Sequence, residues 1–278
     1  MRLNGADVNP PVQWDCHTHV YGPWESFPLP PDAAYRPAEA PMTQLLALHS
    51  RLGISRGVLV QAACYRGDHS ALLAALHSTG GRYRGVALID GDTDEASLQA
   101  LHNGGVRGIR FNFMGHLPGE RNLVQLRQQA ERVRQFGWHV LLHGQIGQLL
   151  PVLDAWHDLD VPLVIDHMAR VNGCLPLDED ALGALQRHLE RDKRWIKLSG
   201  VDRVMQGAPG PWEAALPLAR RLLQAAQGRA IWGSDWPHPN IQGAPPEEPQ
   251  LLEFIRAACG NTANVEAVMC GNPQILYT

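Results

Sequence analysis

Five side chains of the kinds that bind a metal ion or activate water stand out by their place in the sequence. Each sits near the end of a short apolar run: His17 and His19 in VQWDCHTHV, His143 in WHVLLHG, His167 in PLVIDHM and Asp235 in RAIWGSD. Side chains alternate along a strand, so His17 and His19 point the same way. Each residue taken singly has an ordinary reading. A lone HxH arises by chance, His143 reads equally as a hydrogen-bonded core histidine, and His167 as the cap of a following helix. The set is harder to explain by packing. Imidazole nitrogens and a carboxylate brought together from separate strand ends are what a Zn²⁺-like ion or a water-activating site requires.

Cationic residues accompany them. Arg110 lies inside the run VRGIRFNF, where an unpaired guanidinium is costly. It either pairs with an interior carboxylate, Asp15 or Asp166, or clamps the carboxylate of a bound molecule. Arg170 and Arg203 follow the sixth and seventh runs and would add to a positive pocket; each also reads as an ordinary surface residue. Tyr35 offers a hydroxyl. His238, three residues past Asp235, reaches toward the same place through Trp236-Pro237-His238-Pro239. The remaining histidines fare worse. His49, His77, His102, His157 and His188 fall in helical stretches and His139 at the start of its run, so all six are read as structural or exposed. His69 and His116 lie in loops and stay unassigned. No GxSxG supports a serine nucleophile, and Cys64, without a recognisable histidine partner, reads as packing.

These groups need a scaffold that brings strand ends together. Eight runs recur at 12–20, 56–63, 82–90, 106–113, 138–144, 162–168, 194–200 and 229–235, mostly continuous in apolar residues as in parallel strands buried on both faces. Helical patterns separate them. Leu45, Leu46, Leu48 and Leu52 recur near helical spacing, and Leu72, Leu73 and Leu76 follow a cap expected at Asp68. A helix is expected from Thr93 to a stop at Gly104-Gly105, with others over 121–136, 146–157, 178–192, 212–227, 247–259 and 263–270. Eight such alternations predict an α/β fold, a (β/α)₈ TIM barrel occupying 1–278 as one domain. An open doubly wound sheet is the rival, but no GxGxxG or GxxxxGK[ST] follows the first run. The Pro-rich segment 21–41 reads as a long loop over the catalytic face.

Composition narrows the partners. The chain has 278 residues, 45% of them hydrophobic, and a net charge of −4 from 24 basic and 28 acidic residues. That balance gives no nucleic-acid surface and no polybasic membrane patch. No segment approaches the roughly 20 apolar residues of a membrane-spanning helix, and the N-terminus lacks the apolar run of a secretory signal. Cys16, Cys64, Cys174, Cys259 and Cys270 are scattered without CxxC and read as reduced thiols of a cytoplasmic protein. The sequence leaves a homo-oligomer open.

DCHTHVYGP, VRGIRFNF, VIDHMAR and WGSDWPHPN together resemble the amidohydrolase superfamily, and more closely the 2-pyrone-4,6-dicarboxylate lactonases and their sugar-lactonase relatives. The resemblance runs from Asp15 to the final GNPQILY. It implies a barrel whose C-terminal mouth hydrolyses a carboxylated lactone. His17, His19 and His167 match the histidines that polarise the lactone carbonyl, and Asp235 matches the general base. Arg110 matches an arginine holding a substrate carboxylate, and Arg203 approximately a second. Two departures stand out. Gly115-His116 occupies the place of a further carboxylate-binding arginine, which bears on the dicarboxylate as substrate. A metal-free pattern in the family ends strand 5 with Tyr, whereas here the residue is His143, which restores a metal-type ligand set. Arg110 stands where a bridging ligand for a second metal would be, so at most one divalent cation, Zn²⁺ or Mn²⁺, is expected on His17, His19, His143 and Asp235. The alternatives are a one-metal decarboxylase of an unsaturated acid on the same barrel and, behind it, a non-catalytic binding protein.

Overall fold

The computed structural model describes residues 12–278 apart from 118 and 242. Its strands are β1 (Trp14–Thr18), β2 (Arg56–Val60), β3 (Tyr83–Ala87), β4 (Val106–Asn112), β5 (His139–His143), β6 (Leu163–Ile165), β7 (Arg194–Lys197) and β8 (Ala230–Ile231). Neighbours pair in parallel in sequence order. The eighth expected run is regular over only two residues, yet the chain beyond it closes the sheet. Cys16 N–H donates to Trp232 O, Asp235 N–H to His17 O and His19 N–H to Trp236 O, each at 2.8 Å. The result is a (β/α)₈ barrel.

The helices are α1 (Met42–Leu52), α2 (Ser70–Ser78), α3 (Glu95–Asn103), α4 (Leu123–Val133), α5 (Ile146–Ala155), α6 (Glu179–Leu189), α7 (Val201–Val204), α8 (Leu216–Ala225), α9 (Glu248–Cys259), α10 (Thr262–Glu266) and α11 (Asn272–Tyr277). Several boundaries differ from expectation for local reasons. α3 is capped by Asp94 rather than Thr93, its carboxylate accepting from Ser97 N–H. Asp68 bonds Ser70 N–H but stands one residue outside the cap of α2. The expected helix 263–270 is interrupted by a π-helical turn at Ala267–Gly271 and then continues to Tyr277. The short α7, in the loop after β7, was not expected from the sequence.

Apolar residues divide between two sides of the sheet. Leu59, Ile109, Leu142, Ile165 and Ile196 face outward and pack with Leu45, Leu98, Leu126, Leu149 and Leu182 of the helices. Fully burying each such side chain contributes about 2 kcal/mol. The inner faces supply Trp14, Cys16, Val58, Val60, Val86, Leu141, Val164 and Ile231, and Tyr277 plugs this interior from below, stacked 6.0 Å from Trp14.

One irregularity sets the chemistry above that interior. From Asp15 to Thr18 β1 advances three residues while its partner advances two, Gly57 to Leu59, so β1 carries an extra residue. Trp14 and Cys16 already face the barrel interior. Strict alternation would therefore turn His17 and His19 outward; the bulge re-aims both into the mouth. Asp15 fastens it, Oδ1 accepting from His17 N–H at 3.0 Å and Ser234 N–H at 2.9 Å, while Oδ2 lies 3.3 Å from His49 Nε2. Gly233 lets β8 lie against the bulge, since a Cβ there would stand 2.5 Å from His17 N.

Candidate active site

The mouth of the barrel is organised around the two oxygens of Asp235, which is 2% exposed. Oδ2 accepts two bonds from Arg203, Nε at 3.1 Å and Nη2 at 2.9 Å. Oδ1 faces three imidazoles: His19 Nε2 at 3.4 Å, His17 Nε2 at 3.6 Å and His167 Nε2 at 3.9 Å. Burial alone would raise the Asp235 pKa. The Arg203 guanidinium, His167, His19 and His17 outweigh it and hold the carboxyl well below its usual range, so it is ionised at neutral pH.

Each of these histidines is fixed through its other nitrogen. His19 Nδ1 donates to Val60 O at 2.8 Å, which leaves the Nε2 lone pair directed at the site. His167 Nδ1 lies 2.9 Å from Ser199 Oγ. Its Nε2 lies 3.5 Å from Asp166 Oδ2 as well as near Asp235, and two neighbouring carboxylates favour the proton on Nε2. Burial lowers the His167 pKa to about 4, so the ring is neutral. His17 Nδ1 sits between Asp166 Oδ1 and Lys197 Nζ, each 3.1 Å away. Burial would raise Asp166, but His167, His17 and Lys197 hold it well below the ordinary carboxylate value.

Local backbone aims these groups. His167, Met168, Ala169 and Arg170 all have left-handed φ, between 44° and 54°. Non-glycine residues reach that region at a cost of roughly 1–2 kcal/mol each, and such strain persists at sites that use it. Gly200, itself at φ +65°, lets β7 pass close beneath; a Cβ there would be 2.8 Å from His167 Nδ1.

A cavity of about 90 Å³ opens over Asp235, lined among others by His19, Tyr35, Arg110, His116, His143, His167, Arg170 and Arg203. Arg110 lines the cavity and makes an ion pair below it. Nη2 donates to Asp166 Oδ2 at 3.0 Å, the ion pair anticipated as one alternative, while Nε is buried without a partner. Tyr35 reaches the cavity with its hydroxyl 3.4 Å from that of Tyr21, and burial pushes its pKa up, so the hydroxyl stays protonated. Arg203 lines the cavity but is committed to Asp235 and to Pro239 O, at 2.7 Å.

Two of the expected site residues stand apart from the cluster around Asp235. His143 is in neither of the two close groups of possible metal ligands among the described residues, His17, His19 and Asp235 or His17, Asp166 and His167, but it lines the same cavity with its Nε2 buried. It projects from β5, with Nδ1 tied to Asn112 Oδ1 at 3.1 Å and its ring 5.4 Å from that of His167. His238 does not line the cavity. A left-handed φ of 61° turns it away, and Nε2 lies 3.4 Å from Glu248 Oε1. Sequence reasoning also missed Lys197 and Ser199. Lys197 is fully buried in RWIKLSG, and a lysine inside an apolar strand run was itself the signal. Ser199 carried none.

The three ligands fit a metal ion. His17 Nε2 is buried and, among the described residues, without a hydrogen-bond partner. Tetrahedral bonds of about 2.1 Å place neighbouring ligand atoms about 3.4 Å apart, and the two imidazole nitrogens stand 3.4 and 3.6 Å from Asp235 Oδ1.

Comparison with known proteins places this geometry. An amidohydrolase family model matches residues 14–278. A 2-pyrone-4,6-dicarboxylate hydrolase of Comamonas testosteroni is 34% identical over 271 residues, 95% of this chain and 89% of that protein. A 4-sulfomuconolactone hydrolase of Hydrogenophaga intermedia is 32% identical, covering 97% of this chain and 90% of its own. Among solved structures, an Agrobacterium tumefaciens protein in its apo form superposes with a TM-score of 0.84 at 24% identity, covering 96% of each chain, and so shares the fold.

Proposed function

The chain belongs to the amidohydrolase family, and from that premise we propose that it is a lactonase, opening a small lactone that carries an acid group by adding water to the ring ester. The observation that supports this reading most is Asp235. One of its oxygens is locked by Arg203, and the other is free toward three oriented imidazoles in a cavity lined by guanidinium groups.

Water addition to an ester carbonyl requires a base for the water proton and a donor for the developing oxyanion. Asp235 Oδ1 takes the proton, because Arg203 occupies Oδ2. His167 presents Nε2–H to the carbonyl oxygen, with Ser199 behind it holding the tautomer. The Arg110 and Arg170 guanidinium groups, which line the cavity, receive the substrate carboxylate and fix the ring over Oδ1. Tyr35 adds a hydroxyl from the loop above. Lys197 and Asp166 orient His17 from below.

His17, His19 and Asp235 would hold one divalent cation, Zn²⁺ or Mn²⁺. When bound, it polarises the carbonyl and lowers the pKa of water. His143, tied to Asn112, borders the substrate instead.

The test is a panel of acidic and neutral lactones followed by proton release, with CO₂ measured in parallel. The expected result is ring opening confined to acidic lactones, without CO₂. Release of CO₂ from an unsaturated acid would favour a decarboxylase on the same barrel.

A further inference from the structure

Outside the barrel wall, beneath α1, three polar side chains are buried in the apolar layer between sheet and helices. Asp15 of β1, Gly57 of β2 and Tyr83 of β3 stand in one row of the sheet, Asp15 paired with Gly57 and Gly57 with Tyr83. Gly57 has no side chain, so the Tyr83 ring crosses over it; a Cβ there would lie 2.4 Å from Tyr83 Cε1. His49 of α1 comes down onto this row, its ring stacked on that of Tyr83 at 5.8 Å. Asp15, His49 and Tyr83 are each at most 1% exposed.

Their bonds form a chain that ends at the active site. Asp15 Oδ2 accepts from His49 Nε2 at 3.3 Å, which leaves His49 Nδ1 to accept from the Tyr83 hydroxyl at 2.6 Å. Asp15 Oδ1 accepts from His17 N–H and from Ser234 N–H. One oxygen thus ties the backbone of His17 to that of the residue before Asp235. It sets how far the β1 histidines stand from the carboxylate that His17 Nε2 faces at 3.6 Å. Asp15 also stands at the last regular pair before the bulge that aims His17 and His19.

The terminal torsion of an aspartate is broad, so a carboxylate held by one oxygen alone turns easily. A buried carboxylate, imidazole and phenol also carry desolvation costs that aliphatic side chains in the same layer avoid. We infer that His49 and Tyr83 are positioning residues for the reaction at the mouth: they lock the Asp15 carboxylate, and through it the spacing between the β1 histidines and Asp235. Neither of them lines the reaction cavity. The catalytic consequence rests on the lactonase reading; the hold on the backbone does not.

His49→Leu cuts the chain, whereas His49→Gln keeps a donor for Asp15. Hydrogen exchange at the His17 and Ser234 amides is read against Ile196 N–H, which donates to Arg229 O at 3.0 Å. Relative to Ile196, the two amides are expected to exchange at least about tenfold faster in His49→Leu and within about threefold of native in His49→Gln. With an acidic lactone, kcat should fall at least about tenfold in His49→Leu, with KM moving less than about twofold and His49→Gln again near native. Leu98→Ala, which opens a cavity under α3, should lower the unfolding temperature but move neither the exchange ratio nor kcat by more than about twofold. Should His49→Leu not fold, Tyr83→Phe removes a single oxygen and carries the same test at about threefold in each readout. Unchanged exchange at the two amides in the folded variant overturns the inference. So does native kcat with those amides loosened, or an equal loss of kcat in Leu98→Ala. If the amides loosen while the native protein opens no acidic lactone, the lactonase reading fails alone and the hold of His49 on the backbone of the site stands.

Discussion

Histidines occupy both ends of the barrel interior, and the two ends treat them in opposite ways. At the bottom, His139 is fully buried edge-on to Tyr277, at 5.1 Å, and neither ring nitrogen has a hydrogen-bond partner among the described residues. Burial, with Lys197 adding to it, lowers its pKa to about 3, so it packs as a neutral ring. At the mouth, His17, His19, His143 and His167 are equally buried, but each has Nδ1 anchored and Nε2 turned inward. His49 is a third kind, with both nitrogens engaged, by Tyr83 and Asp15. Burial does not separate a working histidine from a structural one; what marks His17, His19 and His167 is that their Nε2 atoms converge on one carboxylate oxygen of Asp235.

The comparison breaks most sharply at Asp235, toward which three of those free nitrogens point. Asp235→Asn should keep the fold and lower kcat by about 10³-fold, within the range for loss of a general base. Near-native turnover would detach the oriented histidines from the chemistry.

Much of this was legible in the sequence. The eight runs gave the barrel because parallel strands buried on both faces read as continuous apolar segments. The polar residues at their C-terminal ends stood out against that background. Three things were hidden. The bulge in β1 changes the parity of His17 and His19, and nothing in DCHTH records it. The direction of His238 depends on a left-handed turn, and the exclusion of His143 from the ligand cluster depends on where Asn112 holds its ring. The sequence pattern also showed no helix at 201–204, too short to display a period, though it carries Asp202 and Arg203.

His167 gives the next largest effect. His167→Gln removes the donor aimed at the oxyanion and should cost about 10²-fold in kcat with a smaller change in KM. A change confined to KM would make it a binding residue only. The metal ligands sharpen the contrast within the mouth itself. Protein purified without chelator should hold close to one equivalent of divalent cation, and His17→Ala or His19→Ala should lose it while His143→Ala retains it. No metal in the native protein, together with a chelator-insensitive rate, would remove the cation from the account. The smallest effect belongs to the bottom. His139→Leu replaces an unsatisfied imidazole with an apolar side chain and should leave kcat within about threefold and the unfolding temperature unchanged or raised. A large loss of kcat would mean that the two ends are coupled.

With Asp235 as the base, water itself attacks the ring carbonyl. Turnover of an acidic lactone in water labelled in its oxygen tests it most directly, with the product read by mass spectrometry. One labelled oxygen in the newly formed carboxylate, formed about 10³-fold more slowly with Asp235→Asn, is the expected result. A rearranged lactone without label, or label in the liberated hydroxyl instead of the carboxylate, would contradict it.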